Sequence, residues 1–406
     1  MRDADPVTRV RIADLVRVKK NNYKIMIVAG EASGDLHAAK LVAALRDRSG
    51  GASLNFFGAA GEKMRAEGVE AIVRADDLSI VGLLEIGRSL PMFIRTFQTL
   101  KRAAITRMPD AIVLVDFPDF NMKLAKSLSK RGCRIIYYIS PQLWAWRRYR
   151  IRTIRKYVDL VISILPFEKA WYAEHGVDHV EYVGSPLARE VFATETRDSF
   201  CERHGLDPLR PIVSLLPGSR HKEIVRILPL MLRAAMRMQS AHSDIQFLIA
   251  LGSERNVADA REVITRCGIP KTNGVKLVEN ETFNALNSSD AAAVASGTAT
   301  LETGIIGTPM AIVYKTSALN YKLLRPLIDV EHFGLINLIA GERIAKELIQ
   351  DDFAEKTLAD ELSRLLDTQT NQATREKLAA AANKLGHGGA SKRAAQLICD
   401  MMDREA

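Results

Sequence analysis

The chain has 406 residues, 47% of them hydrophobic and 26% charged, with a formal net charge of +9. That length allows two domains with separate cores, and the balance excludes a disordered or fibrous chain. Cys133, Cys201, Cys267 and Cys399 show no CxxC spacing, which argues against a disulfide scaffold or a cysteine zinc site and fits a reducing cytoplasm.

Residues 1–22 carry six basic and three acidic residues and no apolar core, so they read as a poorly ordered leader and not as a secretory signal. Short apolar runs then alternate with helical patterns. Strands are expected at Lys24–Ala29, Leu54–Phe57, Ala111–Asp116, Arg134–Ile139, Leu160–Leu165 and Val180–Val183, with helices at Ala38–Arg46, Met122–Arg131 and Glu168–His175. Gly184-Ser185-Pro186 and the polar stretch 194–210 read as a junction, after which the pattern restarts. Strands are expected at 212–216, 245–251, 275–278, 291–294 and 310–314, with helices at 222–239, 256–267, 282–288 and 299–306. The tract 352–406 reads as helical. Strand–helix alternation of this kind gives parallel, doubly wound sheets, here in two facing α/β domains. The divisions expected are 1–22, 23–190, 191–350 and 351–406. No apolar run reaches the roughly 18 residues that a membrane span needs.

Ligands of open parallel sheets sit beyond the carboxyl ends of the strands, and four motifs fall there. Gly30-Glu31-Ala32-Ser33-Gly34-Asp35 matches neither GxGxxG nor a phosphate loop ending in Gly-Lys-Ser/Thr. It still brings the backbone at Gly30, Ser33 and Gly34, and the Glu31 carboxylate, to the end of the first strand. Asp116, followed by Phe117-Pro118-Asp119-Phe120-Asn121, reads as a general base made less acidic by apolar neighbours, with Glu31 as the second candidate. Asp119, after Pro118, reads as a helix cap. In Pro217-Gly218-Ser219-Arg220, free N–H groups at a helix start and a guanidinium suit a phosphate. Ser296-Gly297-Thr298 brings small residues and hydroxyls to another helix start. Glu302, one turn on, can accept from ribose hydroxyls. Two such strand–turn–helix sites suggest a diphosphate donor.

Two stretches read as surfaces. Arg88–Arg107 holds five basic residues and no acid. Leu90, Phe93, Ile94 and Phe97 recur there at helical spacing after the apolar lead Ile80, Val81, Leu83 and Leu84. An apolar stripe with a cationic flank suits a helix in a membrane interface; packing on the core is the other reading. Trp146 and Arg147 open a run with six basic residues through Lys156, suited to a phosphate, an anionic lipid surface or RNA. The eight histidines form no HxxxH pattern, so neither a metal nor another cofactor is expected.

Taken together, Ala29–Asp35, Asp116–Asn121, Tyr138–Arg147, Leu165-Pro166-Phe167-Glu168, Leu216–Arg220, Ala295–Glu302 and Asn337-Leu338-Ile339-Ala340-Gly341 resemble the lipid-A-disaccharide synthase family, in the family's order from about Tyr23 onward. Phe117 departs from the pattern, which has a small residue there. The resemblance implies a metal-independent inverting glycosyltransferase of lipid A (lipopolysaccharide) biosynthesis, with two Rossmann-like domains in the GT-B arrangement. It would condense UDP-2,3-diacylglucosamine with 2,3-diacylglucosamine 1-phosphate to a β(1→6) disaccharide 1-phosphate and UDP. Asp116 would be the base, with Glu31 second. Gly30, Ser33, Gly34, Trp146, Arg147, Gly218, Ser219, Arg220, Ser296, Gly297, Thr298, Glu302 and Asn337 would line the substrates. Acylated substrates favour the membrane-docking reading of the 80–100 stripe. A peripheral enzyme on the cytoplasmic face of the inner membrane, as a homodimer, would follow. A UDP-sugar 2-epimerase on the same scaffold and a basic nucleic-acid-binding protein are the competing readings.

Overall fold

The computed structural model describes residues 21–49, 51–75, 90–268, 275–317, 321–322 and 330–403. Residues 1–20 of the expected leader, and Ile80, Val81, Leu83 and Leu84 of the apolar lead, lie outside these. Seven strands make a first sheet: β1 (Asn22–Ala29), β2 (Ser53–Ala60), β3 (Glu70–Arg74), β4 (Ala111–Val115), β5 (Ile135–Tyr138), β6 (Leu160–Ser163) and β7 (Val180–Tyr182). Their order is β3-β2-β1-β4-β5-β6-β7, and every pair from β3 across to β6 is parallel. β4 reads Ala-Ile-Val-Leu-Val and is buried throughout, as a strand covered on both faces must be.

Six strands make a second sheet: β8 (Ile212–Leu216), β9 (Gln246–Leu251), β10 (Val275–Glu279), β11 (Ala291–Ala295), β12 (Met310–Tyr314) and β13 (Lys346–Ile349). The order is β10-β9-β8-β11-β12-β13, again parallel. Side chains alternate along each strand, so β8 serves two cores. Val213 and Leu215 pack with Ile227, Met231, Leu358 and Leu362 on one face. Ile212 and Leu216 pack with Phe200, Leu301, Ile336 and Leu378 on the other.

The chain divides into two compact units. The first runs up to Pro141 and adds Thr153–Ile162 and the chain from Ser391 on; the second holds Gln142–Arg152 and Ser163–Ala390. The C-terminal helix Ala390–Asp403 therefore belongs to the first unit, apart from its opening residue. Tyr23 Oη donates to Asp403 Oδ1 at 2.9 Å, and Arg134 Nη1 donates to the Met401 carbonyl at 3.2 Å. Among the described residues no helix is long and apolar enough to cross a membrane. The strands β3 and β13 were not expected from the sequence. Both are edge strands of five or fewer residues, two of them charged in each, where burial on two faces is not required.

Candidate active site

Strand order locates the crevices before any side chain is considered. In the first sheet β1, β2 and β3 run one way and β4 starts the other way, so the order reverses between β1 and β4. In the second it reverses between β8 and β11. Loops leaving two such strands diverge and open a crevice. Gly30–Asp35 follows β1 and Asp116 follows β4; Pro217–Arg220 follows β8 and Ser296–Gly297 follows β11. All four motifs lie at reversal points.

In the first unit the chain turns sharply after Val115. Asp116 and Phe117 both take φ of +48°, a left-handed conformation that costs a bulky residue about 1 kcal/mol or more. The turn is held by its neighbours. Asn121 Nδ2 donates to the Asp116 carbonyl at 2.8 Å and to the Val115 carbonyl at 3.2 Å. Tyr137 Oη donates to the same Asp116 carbonyl at 2.8 Å. With its backbone fixed, the Asp116 carboxyl is largely withdrawn from water. Burial, then the negative charge of Glu31, raise its pKa to about 6, against a backbone hydrogen bond from Phe117 that lowers it. A carboxylate of that basicity is ionised at neutral pH and still accepts a proton from a hydroxyl under attack.

Glu31 is exposed at the cap position of the helix Ala32–Arg48 and makes no side-chain cap bond. It tunes Asp116 through charge. Gly34 is buried in the first turn, where an added β-carbon would lie 4.0 Å from Asp116 Cβ; Ser33 is exposed beside it. Asp35 turns away: its carboxylate accepts from the Gly61, Lys63 and Met64 N–H groups at 2.8–3.2 Å and caps the helix Glu62–Ala66. Asp119 lies within the first turn of the helix Pro118–Ser129, and Phe117 holds the cap position. The expectation of Asp119 as the cap is corrected accordingly, because Pro118 at the first position fixes the start two residues earlier.

Phe117 stacks on Phe120 and Phe93, with ring centroids 5.4 and 6.2 Å away, and Phe97 meets Phe120 edge-on at 6.0 Å. Phe93 and Phe97 are thus half-buried in an aromatic cluster and Leu100 is fully buried. The helix Leu90–Arg107 turns part of its stripe inward. Ile94, 52% exposed, and Ile105, 40% exposed, remain outward with Arg95 and Arg102.

In the second unit Gly218 has φ of +109° and packs against Glu223, whose Oε2 an added β-carbon would meet at 2.5 Å. Glu223 reaches back over the start of the helix His221–Ala241. Its Oε2 accepts from the Ser219 and Arg220 N–H groups at 3.2 and 3.3 Å, and Arg220 Nη1 donates to Oε1 at 3.2 Å. These are the donors assigned above to a phosphate, so the chain covers them with its own carboxylate. Asn256 Nδ2 donates to the Ser219 carbonyl at 3.0 Å and steadies the turn.

After β11, Gly297 and Thr298 are exposed at the start of the helix Thr298–Ile306, and Ser296 Oγ donates to the Phe333 carbonyl at 2.9 Å. Glu302 lies one turn on, with its carboxyl pKa raised by burial. It lines a cavity of about 400 Å3 with Phe192, Gly252, Asn280 and Phe283, at the ends of β9 and β10. Asn337 is fully buried: its amide joins Ala345 N and O and Glu347 Oε1 at 2.8–3.0 Å. Its amide thus braces the turn below Gly334, with Glu347 also receiving the Phe333 and Gly334 N–H groups. Trp146 is 40% exposed, and the Arg147 guanidinium lies 4.0 Å from its ring centroid. Among the described residues no group of three or more His, Cys, Asp or Glu side chains is placed to hold a metal ion.

A family model described as lipid-A-disaccharide synthetase matches residues 25–401. The chain belongs to that family. A lipid-A-disaccharide synthase from Geobacter sulfurreducens is 40% identical, covering 95% of this chain and 99% of that protein. One from Myxococcus xanthus is also 40% identical, over 94% and 98%. As a member of the synthetase family the chain is a glycosyltransferase of lipid A biosynthesis, acting on a UDP-sugar and lipid substrates. Solved structures share the two-domain GT-B fold at low identity. A UDP-GlcNAc 2-epimerase from Neisseria meningitidis bound to UDP-GlcNAc superposes with a TM-score of 0.62 at 14% identity, over 93% of this chain and all of that one. A calicheamicin glycosyltransferase gives 0.57 at 14% identity, over 95% and 99%. Likeness at that identity carries the fold alone, so the epimerase reading loses its ground to the family match.

Asn121, Tyr137, Glu223 and Asn256 were given no role in the sequence reading. Asn121 was legible in principle, as an amide three residues after a proline that starts a helix. Glu223, three residues after the cap position Arg220, stands where a capping-box carboxylate is expected, whereas Tyr137 and Asn256 act through contacts that leave no spacing signal.

Proposed function

We propose that this synthetase-family member transfers the 2,3-diacylglucosaminyl group of UDP-2,3-diacylglucosamine to the 6-hydroxyl of 2,3-diacylglucosamine 1-phosphate, with inversion. The acceptor oxygen forms a bond to the anomeric carbon as the bond from that carbon to the diphosphate breaks. The hydroxyl proton passes to Asp116, and the bonding electron pair leaves with UDP. Arg220 and the N–H groups after Gly218 stabilise the diphosphate charge as it grows. Glu302 accepts from the ribose hydroxyls. Gly30, Ser33, Gly34, Ser296, Gly297 and Thr298 allow close backbone approach, and Trp146 and Arg147 take an anionic part of a substrate.

The observation that carries this reading is the withdrawn, basic carboxyl of Asp116 on a turn held by Asn121 and Tyr137. Ile94, Arg95 and Arg102 support docking of the helix Leu90–Arg107 on the cytoplasmic face of the inner membrane as a peripheral contact. We propose the domain limits 23–190, 191–350 and 351–406 and a homodimer on the strength of the family resemblance.

The test is UDP release by purified protein in detergent micelles, with donor alone or with acceptor, and with a chelator in each case. Acceptor-dependent release that survives chelation supports the proposal. Release without acceptor, or none under any condition, overturns it.

A further inference from the structure

Two helices of the first unit leave between them a strongly basic groove that the chemistry above does not use. Lys101 on the helix Leu90–Arg107, and Lys123, Lys126, Ser127, Lys130 and Arg131 on and just after the helix Pro118–Ser129, line a cavity of about 590 Å3. Among the described residues five cations and one hydroxyl face it, and no carboxylate or aromatic ring does. Lys123, Lys126, Lys130 and Arg131 are exposed and Lys101 is half-buried; none has a carboxylate partner among the described residues. The helix Leu90–Arg107 contains no acid, and Asp119, the only one in Pro118–Ser129, lies in the first turn before the lysines. A structural role explains part of this. Lys126, Lys130 and Arg131 stand at a helix C-terminus, where the dipole favours positive charge. That role does not reach Lys123 or Lys101, each in the middle of its helix. Lys123, Lys126 and Lys130 are spaced by three and four residues, so like charges stand side by side and weaken the helix until an anion lies between them.

The groove has apolar neighbours. Ile94, Lys101 and Ile105 follow one another by seven and four residues, so they form one stripe along their helix. Ile94 and Ile105 are exposed, while Leu100 and Ala104 on another face are buried. A lysine of the groove thus stands between two outward isoleucines. Such a surface suits a bilayer, where the isoleucines enter the acyl boundary and the ammonium groups stay level with the phosphates. RNA would engage the cations but leave the isoleucines in water, and no ring among the lining residues offers a base a stacking face. We infer that this groove seats the headgroup of an anionic phospholipid, with its phosphate among Lys101, Lys123, Lys126 and Lys130 while Ile94 and Ile105 enter the membrane. The inference rests on the peripheral docking proposed above and adds the class of lipid. The headgroup must carry net negative charge, since the ammonium of a zwitterionic one would meet the same cations.

The experiment measures sedimentation of the full-length protein with vesicles of phosphatidylcholine alone and of phosphatidylcholine mixed with phosphatidylglycerol, at low salt. The wild type is compared with a triple variant carrying Lys123→Gln, Lys126→Gln and Lys130→Gln. Each lysine at an anionic surface is worth about fivefold in partition, so the triple variant should lose on the order of 100-fold of its affinity for the mixed vesicles. It should keep the UDP affinity and thermal midpoint of the wild type, which shows that it is folded. Added salt should weaken wild-type binding more steeply than that of the variant. Equal binding of wild type and triple variant to the mixed vesicles overturns the inference and leaves docking through Ile94 standing. Equal binding of the wild type to the two kinds of vesicle overturns the choice of an anionic headgroup. Release of the wild type by inorganic phosphate at constant ionic strength, or retention on single-stranded RNA without sedimentation on vesicles, overturns the inference in favour of a free anion or a nucleic acid. Sedimentation with neither vesicle overturns the docking reading itself.

Discussion

The ring of Phe117 lies so close over Gly30 that a β-carbon at residue 30 would meet three ring carbons at 2.4–2.7 Å. The loop after β1 and the turn after β4 are therefore fitted to each other. Gly30→Ala is expected to lower stability by about 1–3 kcal/mol through overpacking. Combining it with Phe117→Ala should return most of that loss; denaturant midpoints of the two single variants and the double variant check this, and simple additivity would contradict it.

Asp116→Ala is expected to leave UDP affinity within a few-fold and to cut turnover by about 10²–10⁴-fold. Because the base must be ionised, kcat/KM should fall about tenfold per pH unit below about 6. Full activity in Asp116→Ala would transfer the role to Glu31.

The same shift has a consequence for stability. A carboxyl whose folded pKa lies above its unfolded value stabilises the fold most below the unfolded pKa, and that contribution is lost as pH rises to about 6. Asp116→Asn should therefore be more stable than wild type at pH 8, on the order of 2–3 kcal/mol, with the difference vanishing near pH 3.5. Urea unfolding at the two pH values measures it.

Glu223 shares its carboxylate among the donors that a diphosphate needs. Arg220→Ala should weaken UDP binding and turnover together. Glu223→Gln keeps the helix cap and removes the charge, so UDP should bind about threefold or more tighter at low salt, the scale of one partly exposed charge pair. Calorimetric titration of the two variants decides; weaker binding by Glu223→Gln would mean that the carboxylate holds Arg220 in place for the ligand.

Ile94 is the most exposed apolar side chain described on its helix, and Arg95 and Arg102 flank it. Ile94→Asp is expected to reduce sedimentation with anionic vesicles while UDP affinity in solution stays unchanged. Equal sedimentation of the variant and wild type would remove this helix from the docking surface.

The central strands and the four loops of the site were legible because each strand is an unbroken apolar run that ends in small or polar residues. β4 is of this kind and β8 is interrupted only by Ser214; both are buried at every position. Of the four edge strands, β7 and β10 were legible and β3 and β13 were not, since Glu-Ala-Ile-Val-Arg and Lys-Glu-Leu-Ile are short and carry charges that suit one exposed face. Helix starts were set too late: the helix expected from Ala38 begins at Ala32, and the one expected from Met122 begins at Pro118. In both, the first turn contributes loop residues to the site and so lacks the apolar spacing that marks the rest. Phe93 and Phe97 show the same ambiguity in reverse. Their spacing is that of a lipid-facing stripe, and only the partners Phe117 and Phe120, distant in sequence, turn them inward.

Tyr23 is the second residue of β1 and Arg134 precedes β5, yet both are bonded to residues of the final helix. On the ribosome, domains ordinarily fold in the order of their synthesis. Here the unit that leaves the ribosome first waits for the last helix to emerge, whereas the second unit, which ends at Ala390, has all its residues before then. A nascent chain with no residue beyond Ala390 yet emerged would hold a finished second unit and a first unit still open at the strand ends that Tyr23 and Arg134 tie to the final helix.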